Sequence, residues 1–155
     1  MLAPTEVLAA QHHEKITAAL GPLAMAGQLG GDPEATRVTL LTGSMSAPAR
    51  RKALLDIASG AAGIVVGTHA LIQDAVQFAD LGLAVVDEQH RFGVEQRDAL
   101  RDKAGQAPHT LVMTATPIPR TVAMTVFGDL DVSTLRELPG GRQPIDTFVV
   151  GLAEH

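Results

Sequence analysis

The chain has no cysteine, no tryptophan and no tyrosine, and aromatic residues make up only 3% of it. Without thiols there is no disulfide and no thiolate ligand for a metal, and a reducing compartment is permitted. So few rings leave little for the bases of a single strand to stack on. Positive charge is also scarce: 12 Lys and Arg stand against 17 Asp and Glu, a net charge of −5. That excludes a sequence-independent basic clamp on DNA. Any contact with nucleic acid must rest largely on backbone amides and helix N-termini. No apolar run reaches membrane-spanning length, and Glu6 and Glu14 stand where a signal peptide would need basic residues and then a greasy core. The lysines are Lys15, Lys52 and Lys103, and none follows a glycine, so the phosphate-cradling pattern G-x-x-x-x-G-K-[ST] is missing. The histidines His12, His13, His109 and His155 have no metal-like spacing and read as surface residues.

What is present is a chain of 155 residues, 46% hydrophobic and 19% charged. That is enough for a globular domain with a core. Strand-like apolar runs alternate with helical segments, the signature of a parallel α/β sheet. Residues 1–3 read as the tail of a strand. Thr5 is an N-cap with Glu6 in the first turn, and the helix runs through Leu8, Ile16 and Leu20 to Gly21-Pro22. Further strands are predicted over residues 38–41, 63–66, 83–86 and 110–113, and weaker ones over 132–135 and 147–150. Ser46 caps a helix to Ser59, with Leu54, Leu55 and Ala58 on one face and Gly60 as its stop. A charged helix is expected from about Val94 to Lys103, and Pro119 suits the first turn of a short helix to about Phe127. Pro139-Gly140-Gly141-Arg142 is the expected boundary, dividing residues 1–138 from a linker at 139–155.

The apolar run Leu83-Ala84-Val85-Val86 leads straight into Asp87 and Glu88. A buried strand ending there puts both acids at the carboxyl edge of the sheet, where open α/β sheets bind ligands. Adjacent carboxylates repel unless a cation or a water network takes up the charge. A magnesium–nucleotide site uses such a pair, one acid on the metal's water shell and the other on the attacking water. Other predicted strands end in Pro4-Thr5-Glu6, Thr42-Gly43-Ser44, Gly67-Thr68-His69 and Thr114-Ala115-Thr116. Their hydroxyls and glycine amides can hold phosphates without reading bases. Taken singly, each serves equally as an ordinary turn or cap.

Here the chain resembles a family. Val86-Asp87-Glu88-Gln89-His90-Arg91-Phe92-Gly93-Val94 is similar to motif II of superfamily 2 helicases in its DEQH form. Met113-Thr114-Ala115-Thr116-Pro117 is similar to their motif III. Ala3-Pro4-Thr5-Glu6-Val7-Leu8-Ala9 with Gln11-His12 resembles motif Ia, and Leu41-Thr42-Gly43-Ser44 and Gly67-Thr68-His69-Ala70-Leu71 resemble the intermediate motifs. The overall pattern resembles the RecG-type ATP-dependent DNA helicases, which remodel branched DNA. Mfd-like translocases share the motif II and III region.

The resemblance implies a partial RecA-like parallel sheet flanked by helices, with the P-loop strand and helix missing. It implies ATP and magnesium as cofactors. Asp87 would hold the metal's water shell, Glu88 would activate the hydrolytic water, and Gln89 and His90 would link the nucleotide state to Thr114, Ala115 and Thr116. Pro4, Thr5, Thr42, Gly43, Ser44, Gly67, Thr68 and His69 would lie along a DNA-backbone track. The implied partners are forked or branched DNA, a wedge domain and a second motor domain of the same protein, in a bacterial cytoplasm. The piece alone is expected to be inactive, as a truncated binding or regulatory module would also be. With an internal strand gone, residues 83–86 and 110–113 are expected to show unpaired edges.

Overall fold

Leu2 ties the sheet together. In the computed structural model the elements run α1 (Glu6–Leu20), a 3-10 helix (Gly21–Ala24), β1 (Arg37–Leu41), α2 (Ala47–Ser59), β2 (Ala62–Gly67), a second 3-10 helix (His69–Ile72), β3 (Leu83–Asp87), α3 (Val94–Ala104) and β4 (His109–Met113). The structure describes residues 1–25, 29, 34–73, 75–87, 94–105, 108–115, 131–137, 140–141 and 143–148. The chain divides into two units, Met1–Thr116 and Pro117–His155, and the elements above belong to the first.

β1 pairs with β2 and β3 with β4, both parallel. Leu2 makes parallel bridges to Gly67 and to Val86. Its amide donates to Val85 O at 2.7 Å, and its carbonyl accepts from Asp87 N at 2.9 Å. On the other side Gly67 N donates to Met1 O and Ala3 N to Gly67 O. The order is therefore β1, β2, the Leu2 segment, β3, β4, all running the same way. The expected strand tail at residues 1–3 is present. The expectation for residues 83–86 is corrected: β3 is paired on both sides, by Leu2 and by β4. Among the described residues β4 is paired only by β3.

Local chemistry explains the helices. Thr5 is extended at φ −136° and its hydroxyl accepts from Leu8 N, starting α1; Gly21 at φ 53° ends it. Ser46 caps α2 by accepting from Ala49 N, and Gly60 terminates it in the left-handed region at φ 80°. The buried face of α2 is Ala53 and Ile57, with Leu54 packed beside them, whereas Leu55 is 65% exposed and Ala58 is also exposed. The expected face was thus rotated. Leu54, Leu55 and Ala58 span too wide an arc for one narrow contact with the sheet.

Strand alternation separates two apolar clusters. Leu2, Leu41, Ala84 and Val86 pack with Ile57, Leu71 and Leu100. Ala3, Val66, Val38, Leu40 and Ile64 pack with Ala9 and Ile16 of α1. Gly67 sits where β1 and the second 3-10 helix crowd β2. A Cβ there would lie 2.2 Å from Leu41 O and 2.9 Å from Leu71 Cγ, so only glycine fits.

Residues 132–135, expected as a strand, are irregular. Val132 is 52% exposed and Leu135 is 99% exposed, and without a partner strand the run buries nothing that would hold it extended. Residues 147–148 are irregular too. The helix expected from Pro119 to Phe127 lies outside the described residues.

Candidate functional site

Because the strands are parallel, their carboxyl ends share one edge. Pro4 and Thr5 follow the Leu2 segment, Thr42-Gly43-Ser44 follow β1, Thr68 and His69 follow Gly67 of β2, Asp87 closes β3, and Thr114-Ala115 follow β4. Asp87 is in register with Met113, so Thr114 begins one residue beyond the acid on the neighbouring strand. Glu88, Gln89, His90 and Thr116 lie outside the described residues.

Alternation along β3 buries Ala84 and Val86 in the cluster with Ile57 and turns Asp87 to the opposite face. That face is the one α1 covers. His12 Nε2 lies 2.8 Å from Asp87 Oδ2, with the two side chains 26% and 21% exposed. The next residue, His13, donates from Nε2 to Val38 O at 3.0 Å. The surface reading of these two histidines is therefore corrected: both are half-buried ties between α1 and the sheet. The signal was in the helical spacing. His12 and His13 fall three and four residues after Ala9, which is fully buried, and four and three before Ile16, which packs in the same cluster. His109 is exposed, as expected.

The hydroxyls of the edge are already in use. Thr5 Oγ1 accepts from Leu8 N at 3.2 Å, and Thr68 Oγ1 accepts from Ala70 N at 3.5 Å as the cap of the second 3-10 helix. Thr42 is buried, and its amide donates to Met45 Sδ at 3.3 Å. Gly43 and Ser44 are exposed. Glu6 holds Ser44 by both its amide and its hydroxyl. The Ser44 hydroxyl, then the Ser44 and Gly43 amides, hold the Glu6 carboxyl below the usual carboxylate range. Read from sequence alone, Glu6 was a first-turn acid of α1; its grip on the 42–44 turn is added by the fold.

Asp87 suits a hydrated magnesium ion. It is a half-buried carboxylate at a strand end, and among the described residues no Lys or Arg pairs with it. Among the described residues no three acidic or histidine side chains form a metal cage. A cation at Asp87 would therefore keep most of its waters, as magnesium does where a nucleotide supplies the other ligands. An apolar cavity of about 580 Å³, lined by Leu71, Phe78, Leu81 and Leu83 among others, lies at the amino ends of β2 and β3, away from the acid.

The sequence pattern of the DEAD/DEAH box helicases matches residues 1–125. The chain belongs to this helicase family. Among its relatives, the ATP-dependent DNA helicase RecG of Mycobacterium tuberculosis is 69% identical over 152 residues, covering 97% of this chain and 21% of that protein. RecG of Mycobacterium leprae is 66% identical over 152 residues, 97% of this chain and 20% of that one. RecG of Bacillus subtilis is 48% identical over 150 residues, with the same coverage of 97% and 20%. A solved structure of RecG bound to a three-way DNA junction matches with a TM-score of 0.67 at 36% identity, covering 93% of this chain and 17% of that one. The chain spans about a fifth of the length of these relatives. The RecG-type resemblance and the RecA-like α/β fold class both stand, and this helicase segment runs from the motif Ia region through motif III.

Proposed function

We propose that the chain is part of the first motor domain of an ATP-dependent DNA helicase that remodels branched DNA such as replication forks. The observation that supports this most is Asp87. It closes a buried parallel strand at the edge where the 42–44 turn, Thr68 and Thr114 also emerge, in a chain of the DEAD/DEAH family. A magnesium ion bound with ATP would supply charge neutralisation at the β- and γ-phosphates. Asp87 would orient the water shell of that ion. Glu88 would position and deprotonate the attacking water, and Gln89 and His90 would report the nucleotide state to Thr114, Ala115 and Thr116. Pro4, Thr5, Thr42, Gly43, Ser44, Gly67, Thr68 and His69 would follow the DNA backbone by amides and hydroxyls. The phosphate loop, the second motor domain and a wedge domain would be supplied by other parts of the protein, in the bacterial cytoplasm. With no Gly-Lys-Ser/Thr of its own, the 155-residue chain would not hydrolyse ATP by itself.

The test is made on the full-length helicase carrying this segment. Glu88→Gln still binds ATP, but its turnover on forked DNA falls by about two orders of magnitude or more, the scale of losing a general base. Asp87→Asn also weakens the response to magnesium. Near-normal turnover in both variants overturns the assignment.

A further inference from the structure

A carboxylate at the end of a strand rotates unless something holds it. Asp87 is held. The donor, His12 Nε2, is 2.8 Å from Oδ2 and comes from 75 residues earlier in the chain. It sits on a helix that is itself immobilised: Thr5 caps α1, Ala9 is fully buried, and His13 ties the helix to Val38 O. The same helix carries Glu6, whose carboxylate holds the 42–44 turn. At 1.5 Å of rise per residue, Glu6 and His12 are separated by roughly 9 Å along the axis. A single rigid element therefore touches both the acid of the candidate nucleotide site and a turn of the candidate DNA track.

We propose that His12 is a positioning residue for the metal-holding carboxylate: its Nε2–H fixes Oδ2 of Asp87 and leaves the other oxygen for the hydrated cation. This rests on the reading of Asp87 given above. Outer partners of this kind orient a ligand without touching the metal, and their loss characteristically costs tenfold to a hundredfold in metal affinity. A neutral imidazole suits the task. It supplies one directional donor and, unlike Lys or Arg, does not cancel the charge the cation needs.

The experiment uses the full-length helicase, either the chain's own parent or the Mycobacterium tuberculosis relative with these residues exchanged into it. Manganese affinity is read by electron paramagnetic resonance with a non-hydrolysable ATP analogue bound. The magnesium concentration for half-maximal DNA-stimulated hydrolysis is read alongside. His12→Ala should weaken manganese binding by about tenfold or more. It should raise the magnesium half-saturation by a similar factor, with a smaller change in kcat at saturating magnesium. His12→Gln, whose side-chain amide donates at a similar reach, should recover most of the loss. His12→Leu fills the space without a donor and takes the place of His12→Ala if the alanine variant melts early. Unchanged manganese affinity in the donor-less variants overturns the proposal, as does equal impairment in His12→Gln. Asp87→Asn separates the two levels. If it leaves metal affinity intact, the reading of Asp87 fails and His12 falls with it. If it abolishes metal binding while His12→Leu does not, Asp87 stands and only the positioning role falls.

Discussion

Glu6 holds Ser44 with both of its carboxylate oxygens. Oε1 accepts the Ser44 amide at 3.0 Å and Oε2 accepts its hydroxyl at 2.6 Å, across 38 residues of sequence. The link fastens the first turn of α1 to the turn after β1. It also means that two donors on the candidate DNA track face an internal anion.

The Glu6 link should be visible in acid. Its carboxyl is depressed below its ordinary value of 4.5, chiefly by the Ser44 hydroxyl. A folded value below the unfolded one gives stability that is fully present above the unfolded value. That stability is lost as pH falls through the depressed folded value. Wild type should therefore melt higher than Glu6→Gln at neutral pH, and the gap should close below about pH 4.5. A gap that stays constant between pH 7 and pH 3 would contradict an ionised Glu6 in this role.

The strand-end turns offer amides and hydroxyls, so their contacts with DNA should be blind to sequence. In the full-length helicase, Ser44→Ala and Thr68→Ala should each weaken fork binding by on the order of 1 kcal/mol, the worth of one hydrogen bond. The loss should be equal across forks of different sequence, as read by fluorescence anisotropy. A shift in base preference would count against the backbone-track reading.

Gly67→Ala places a methyl group on Leu41 O and Leu71 Cγ. One of those contacts is backbone and cannot step aside without disturbing the β1–β2 ladder. The cost should be about 1–3 kcal/mol, the range for overpacking a well-filled core. Denaturant unfolding of the 155-residue chain measures it, and an unchanged midpoint would show that β1 and β2 separate more easily than the register implies.

Among the described residues, β4 is paired on one side only, and Leu83 and Leu111 are 59% and 51% exposed. Leu111 is in register with Val85, so apolar side chains neighbour each other beside an open strand edge. Such edges recruit other chains. The isolated 155-residue chain should associate as its concentration rises, and Leu111→Lys should suppress this in sedimentation velocity runs. A wild-type monomer at every concentration, or a lysine variant that associates as readily, would refute it.

Short-range chemistry was legible in the residues themselves. Thr5 and Ser46 cap their helices and Gly60 stops α2, because caps are decided by side chains within a turn of the helix end. The strands at 38–41, 63–66, 83–86 and 110–113 appear within a residue of where their apolar runs lie. The run at 132–135 does not: its composition suits a strand, but a strand also needs a neighbour. The strand-end residues share one edge because parallel strands with helical crossovers all point the same way. Tertiary structure alone decided the rest. It placed Leu2 between β2 and β3, turned Leu55 of α2 outward, gave Asp87 to His12 and Ser44 to Glu6. The physical reason is range. Caps and alternation are settled by neighbours along the chain. The partner of a strand or of a carboxylate is chosen among groups tens of residues away, and that choice exists only once the sheet and α1 have packed together.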